Sequence, residues 1–309
     1  MSRHAVRYSD QARSLIAVDS DADSSGYRER LSNLYDWLSR FNLFTNLAMF
    51  GAATADLTMH KTLQVPAGAA VSYAAAEQRL WINDLALDAA GLGPEPYVLD
   101  AGCGFGGTIF RWHDKAGGLY DGLTLSTVQY RLATRQARRR GVASKCRFHL
   151  RSYDDPISER YDAVVSIEAL VHSPAFPETI RGLSKALKPG GKLVVAEDIP
   201  LPEAEGDSDL EKIRKYWGLA RVPTEDSYSA AIEANGLRVL HDTDYSEGFR
   251  TASPEKLTKL ETRYLRLYNL IPMDGPRFIL AAFLGGLALE RLYRKRLVRY
   301  RLMVLQREN

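Results

Sequence analysis

The stretch VLDAGCGFGG, residues 98 to 107, runs an apolar segment straight into Gly102, Gly104, Gly106 and Gly107, with a helix-forming stretch behind them. Glycines at such a junction let the backbone turn tightly and approach a ligand closely, with helix amides free to meet a polar group. A strand that ends this way belongs in a sheet whose connections are helices. The rest of the chain keeps that rhythm. YDGLTLS, CRFHLRS, YDAVVSIEA, GGKLVVAED, LRVLHDTD and RYRLMVLQ follow at intervals, each apolar or β-branched and each separated from the next by a helix-like segment. The pattern predicts an α/β fold, a doubly wound, mostly parallel seven-stranded sheet with both faces covered.

What the glycine loop binds is less constrained, because Gly102, Gly104 and Gly107 also satisfy the dinucleotide fingerprint. Two residues separate the readings. Asp100 stands two positions before the first glycine, where a carboxylate can orient the loop or meet an ammonium group. The end of the second strand offers Thr124 and no acid for a nicotinamide ribose.

At 45% hydrophobic and 26% charged residues, the 309-residue chain has the composition of an ordinary globular protein, and a net charge of +3 gives no reason to expect nucleic acid as a partner. Cys103 and Cys146 lack metal-ligand or disulfide-framework spacing, so a reducing compartment is expected, and with no Asp-rich motif visible no metal-ligating residue is named and no metal requirement is argued. The first residues lack a signal peptide's apolar core, and FILAAFLGGLAL (278 to 289) is too short to span a bilayer. A cytoplasmic protein is the expectation. The basic run RLATRQARRRG reads as a solvated helix face. The basic ERLYRKRLVRYR that follows the apolar run has two readings: a buried lid or oligomer helix with a basic end, or a helix that rests on a membrane surface or grips a diphosphate.

Before the sheet, Leu31, Leu34, Tyr35, Leu38 and Phe41 recur at helical spacing between Tyr27 and Phe50, and a second helix is expected over about 74–91, closed by Gly91. Later, IEALVHSP ends the fourth strand by placing Glu168 and His172 beside each other on an apolar run. Burying these two groups is costly unless something pairs or uses them.

VLDAGCGFGG, YDAVVSIEALVHSP and LKPGGKLVVAED, in that order, resemble the successive motifs of class I S-adenosylmethionine-dependent methyltransferases, over roughly residues 96 to 245. The resemblance implies a Rossmann-like methyltransferase fold that uses S-adenosylmethionine and releases S-adenosylhomocysteine. It implies that Asp100, Gly102, Gly104, Gly106 and Gly107 hold the methionine end of the cofactor. Thr124, Leu125 and Gln129 would line its ribose, Ser152 and Tyr153 its adenine, and Glu168 its sulfonium region. Thr124 and Ser152 stand where many members carry acids.

SIEALVHSP is most similar to the sterol and terpenoid carbon-methyltransferases, with GLTLSTVQ and DLTMHK in weaker support. Methylating an alkene carbon makes a carbocation that must lose a proton, chemistry that calls for a carboxylate in an apolar pocket. Glu168 is the candidate base or cation stabiliser, with His172 supporting it. A cofactor contact or a helix cap is the alternative role for Glu168. Tyr35, Trp37, Phe41, Trp217 and Tyr245 are the candidate acceptor-binding aromatics, since ring faces stabilise cations.

The expected acceptor is a small apolar molecule, a terpenoid or a prenyl diphosphate among them, with rearrangement or ring closure as an optional accompaniment. Oxygen or nitrogen methylation of a small metabolite, and a cofactor-binding scaffold without catalysis, stay open. The expected organisation is a flexible segment at 1–26, a helical extension or lid at 27–95, and a methyltransferase domain at 96–309 with a helical insertion about 245–290, in a homo-oligomer.

Overall fold

The computed structural model describes residues 24–50, 60–64 and 78–308, with backbone only for 24–25 and 46–50. Most of the flexible segment expected at 1–26, the start of the expected 74–91 helix, and most of DLTMHK therefore lie outside the described residues. Ser24 to Gly26 are helical, so the first helix begins before the boundary that the polar composition suggested.

The strands are β1 (Tyr97–Ala101), β2 (Leu119–Thr124), β3 (Cys146–Leu150), β4 (Tyr161–Ile167), β5 (Leu187–Pro200), β6 (Leu237–Asp244) and β7 (Val298–Arg307). They form one sheet in the order β3-β2-β1-β4-β5-β7-β6, in which β7 alone runs antiparallel to its neighbours. Each of the seven apolar stretches of the sequence is one of these strands.

The helices are α1 (Ser24–Phe50), α2 (Trp81–Ala90), α3 (Gly107–Ala116), α4 (Thr127–Arg139), α5 (Phe176–Lys185), α6 (Ser208–Trp217), α7 (Glu225–Ala234), α8 (Pro254–Leu270) and α9 (Asp274–Lys295). Gly91 ends α2 in the left-handed conformation, as a helix-stopping glycine does. Two cores sandwich the sheet. Trp112, Tyr120, Phe110 and Ile82 pack on one face, and Leu99, Val164, Leu183 and Val195 on the other.

The strand order reverses between β1 and β4, which pair in parallel with Asp100 opposite Val165. Helices leave these two strands toward opposite faces, and the cleft that opens beyond their carboxyl ends is where such sheets bind ligands. The glycine loop follows β1 and Glu168 follows β4, so topology delivers both to that cleft.

Four helices close over the cleft. The α1 helix is stitched down by Ser32 Oγ donating to the Leu125 carbonyl (2.8 Å) and by Asp36 accepting from Ser126 Oγ (2.5 Å) and the Val128 N–H (3.1 Å). The α9 helix packs against α1, α6 and α8. Part of its basic end, which the sequence left open to a membrane or a diphosphate, is engaged within the chain, while Arg294 and Arg296 are exposed. Arg291 pairs with Asp209 and Glu261, and Lys295 with Asp207 and Asp209. Among the described residues no helix is long and apolar enough to cross a membrane.

Candidate active site

A cavity of about 780 Å³ fills the cleft, a volume in the usual range for small-molecule sites. Its wall changes character from end to end. One end is built by the loops after β1, β2, β3 and β4. The other is apolar and made by Leu31, Leu34 and Leu38 of α1, Trp217 of α6, Leu260 of α8 and Phe283 of α9.

At the glycine loop, Gly102 has φ +107°, and a β-carbon there would collide with that of Ala169. The position therefore requires glycine both for its backbone conformation and for the close approach of the β1 and β4 loops. Gly104 faces open space. Beneath the loop, Asp100 is buried and its Oδ2 has no partner among the described residues. Burial pushes its carboxyl up to about 8. A cationic ligand over the loop would relieve that cost, so this end fits a ligand carrying an ammonium group.

At the end of β2, Thr124 donates to Gln129 Oε1 (2.7 Å) and accepts from the Ser126 N–H (3.1 Å), so its hydroxyl shapes the turn as well as lining the cavity. After β3, Ser152 Oγ donates to Asp154, while the Tyr153 hydroxyl reaches the Ala169 carbonyl at 2.9 Å.

Glu168 is one of three described non-glycine residues with positive φ, at +52°. This strained conformation lets the chain leave β4 with the side chain turned into the cleft. Its carboxylate accepts from the Tyr300 hydroxyl (2.9 Å) and from the Lys61 N–H, 3.2 Å from each oxygen. A hydrogen bond to a charged group is worth about 1.5–3 kcal/mol, so these contacts fix where the negative charge sits.

The Lys61 ammonium pairs with Asp198 and lies 5.3 Å from the Tyr300 ring centre, 5.5 Å from Phe249 and 5.8 Å from Tyr293. Burial lowers its pKa, against the pull of Glu168 and Glu197. The Tyr293 hydroxyl donates to the other oxygen of Asp198. Glu197 accepts from the N–H groups of Ala169 (2.5 Å) and Leu170 (2.6 Å), and burial, with the Glu168 charge adding to it, pushes its carboxyl up to about 8.

His172 is buried, and that burial brings its pKa down to about 4, so the ring is neutral near pH 7. Its Nε2 lies 2.6 Å from the Tyr35 hydroxyl. Burial raises the pKa of that phenol, so the phenol stays protonated, and which of the two groups donates in this contact follows the tautomer of the ring. Nδ1 is buried and has no partner among the described residues. The Tyr27 hydroxyl holds the His172 carbonyl at 3.0 Å. His172 is thus clamped to α1.

The mycolic acid cyclopropane synthetase family model matches residues 71–247, more than half of the chain. The chain belongs to that family. A sterol 24-C-methyltransferase of Gibberella zeae is 31% identical over 162 residues, 50% of this chain and 42% of that protein. Erythromycin 3''-O-methyltransferase of Saccharopolyspora erythraea is 34% identical over 163 residues, 50% of this chain and 53% of that protein. The chain thus spans about half the length of these relatives. Among solved structures, a geranyl diphosphate methyltransferase bound to geranyl diphosphate and sinefungin superposes with a TM-score of 0.67 at 21% identity, covering 92% of this chain and 100% of that one. At that identity the likeness speaks for the fold.

Within this cyclopropane synthetase family fold, Gly102, Gly104, Gly107, Thr124, Leu125, Gln129, Ser152, Tyr153, Glu168 and His172 all border one cavity, joined by Tyr35 and Trp217. Five other expected residues stand outside the wall. Asp100 and Gly106 lie beneath the loop, the latter packed so that a β-carbon would meet Phe148 at 2.7 Å. Trp37 is 38% exposed and lies over Gly275, because Tyr35 and Leu38 already hold the inward stripe of α1. Phe41 packs edge-on against Phe283, one layer behind the wall. Tyr245 packs on Trp81, away from the cleft.

Lys61, Glu197, Asp198 and Tyr293 line the site without having been singled out. For Glu197 and Asp198 a signal existed, since GGKLVVAED ends a strand in acids just as SIEA does. Lys61 and Tyr293 carry no such local mark. The matched span also ends before α8, α9 and β7, so much of the apolar wall comes from outside the region that defines the family. Among the described residues no group of three or more His, Cys, Asp or Glu is placed to hold a metal ion.

Proposed function

We propose that this chain is an S-adenosylmethionine-dependent methyltransferase that alkylates an alkene carbon of an apolar, isoprenoid-like acceptor. The observation that carries the reading is Glu168. It is a carboxylate fixed by Tyr300 and Lys61 at the junction between the glycine-loop end of the cavity and its apolar end.

When bound, S-adenosylmethionine supplies the methyl group as a sulfonium electrophile. The glycine loop and the orphaned carboxyl of Asp100 suit its amino-acid end, and Leu125, Gln129, Ser152 and Tyr153, which line the same cavity, would flank its nucleoside. The acceptor's π electrons would form the new carbon–carbon bond as the methyl–sulfur bond breaks and its electron pair leaves with the sulfur, and the acceptor is left as a carbocation. Glu168 opposes that charge, by about 4 kcal/mol at ~4 Å in an effective dielectric of ~20, before desolvation. Glu168 then takes the proton whose departure restores the double bond. The helices α1 and α9 keep water from the cation.

The alternative of hydroxyl methylation through His172 fits less well, because its Nε2 is already engaged by the Tyr35 hydroxyl and burial, which lowers its pKa to about 4, makes the ring a weak base. The wall bears four acidic residues, Glu168, Glu197, Asp198 and Glu290, against three cationic ones, Lys61, Arg151 and Arg250. Lys61 and Arg151 are already in ion pairs.

The test is incubation with methyl-labelled S-adenosylmethionine and a panel of prenyl alcohols, prenyl diphosphates and sterols, followed by mass analysis. The expected product gains one methyl on carbon. Glu168→Gln should lower turnover by about 10²–10⁴-fold while cofactor affinity holds. Turnover within a few fold of wild type would remove Glu168 as the base.

A further inference from the structure

The apolar helix α9 carries two adjacent glycines, Gly285 and Gly286, in its middle, where glycine is a poor helix former. A packing reason is visible for one of them. A β-carbon at Gly285 would collide with the indole of Trp217, whose Nε1 donates to the Ala282 carbonyl at 3.2 Å. Gly285 lets the indole lie flat on the helix.

Gly286 has no such neighbour. A β-carbon there would meet nothing within 4 Å, and the residue lines the cavity. The helix face it occupies continues through Glu290 to Tyr293, both also in the wall, and Tyr293 bonds Asp198 beside the Glu168–Lys61 cluster. Seven residues separate Gly286 from Tyr293, ~10 Å along the helix axis. The missing side chain therefore leaves room about two turns away from the reacting end, between Trp217, Phe283 and Leu260.

We infer that Gly286 is a specificity-determining residue: its absent side chain sets how long an apolar acceptor the chamber admits, and Trp217, seated on Gly285, is the adjoining wall. The inference rests on the apolar-acceptor reading above and adds the acceptor's length to it. A side chain at 286 projects into the far part of the chamber only. It leaves the glycine loop, Glu168 and the near part of the acceptor site as they are.

The experiment measures binding of geraniol, farnesol and geranylgeraniol to the protein saturated with S-adenosylhomocysteine, by calorimetry, for wild type, Gly286→Ala and Gly286→Phe. Thermal midpoint and S-adenosylhomocysteine affinity serve as the controls for folding. Gly286→Phe is expected to keep geraniol affinity within about threefold and to lose geranylgeraniol by tenfold or more, with farnesol between them. Gly286→Ala, which any helix tolerates, should shift the same ratio in the same direction by a smaller factor, and it carries the test alone if the larger variant does not fold.

Equal losses for the three alcohols, or none, overturn the role of Gly286 and leave the apolar-acceptor reading standing. Failure of wild type to bind any of the three while it binds S-adenosylhomocysteine overturns both.

Discussion

The two ends of the cavity are built by different means. At the glycine-loop end, much of the wall comes from the carboxyl ends of parallel strands and the loops behind them: Gly102 after β1, Thr124 at the end of β2, Ser152 after β3, Glu168 after β4. At the apolar end, the wall comes from helix faces, with Leu34, Trp217, Leu260 and Gly286 on four different helices. A strand order dictates which loops meet. A helix face is chosen only when the helix docks. The first end accordingly lies within the span matched by the cyclopropane synthetase family, and much of the second lies outside it.

The largest effect is expected where the first end is most rigid. Gly102→Ala must place a methyl against the Ala169 side chain in a backbone conformation that a side chain rarely adopts. Because the β1 and β4 loops touch at this point, the clash also moves Glu168. Calorimetric affinity for S-adenosylmethionine should fall by more than about 100-fold, the scale of a strained backbone position combined with overpacking. Unchanged affinity would mean that the loop does not hold the cofactor's methionine end.

A smaller, pH-dependent effect should come from Asp100. Its carboxyl is pushed up to about 8 by burial, so it is largely protonated near pH 7. A folded-state pKa above the unfolded value contributes stability that is fully present below the unfolded pKa and is lost as pH rises through about 8. A cofactor ammonium brought near Asp100 favours the carboxylate, so binding at pH 7 should release close to one proton. Affinity should then rise by roughly 50-fold from pH 6 to pH 8, about tenfold per unit until the free-state pKa is approached. Titrations in two buffers of different ionisation enthalpy read the proton directly, and Asp100→Asn should abolish the difference. Heats independent of buffer would separate Asp100 from the cofactor.

What the sequence made legible follows the same division. The succession of strands, the loop glycines and the position of Glu168 and His172 after the fourth strand could be read because each is a local pattern with a fixed place in a parallel sheet. Lys61 and Tyr300 could not, since one lies far upstream and the other on the last strand, and only the closed fold brings them to Glu168. Of the five aromatics expected at the acceptor, Tyr35 and Trp217 reach the wall, while Trp37, Phe41 and Tyr245 do not. Helical spacing says that α1 has an inward stripe. It does not say that Leu31, Leu34, Tyr35 and Leu38 form that stripe in preference to the equally large Trp37 and Phe41.

The smallest effect is accordingly expected from the most conspicuous of those residues. Trp37 lies over Gly275 on the outer side of α1, so Trp37→Ala removes packing between α1 and α9 without opening the cavity. A partly exposed side chain of this kind should lower the thermal midpoint by a few degrees and leave kcat/KM within about twofold. Tyr35→Phe, two residues away, removes the hydroxyl that clamps His172 and should lower turnover more than it lowers stability. Measuring both quantities for both variants separates lid packing from acceptor binding. If Trp37→Ala changed the acceptor-length profile instead, α1 would have to dock rotated by about 100°, one residue's turn, from the face seen here, and the apolar wall would need to be redrawn.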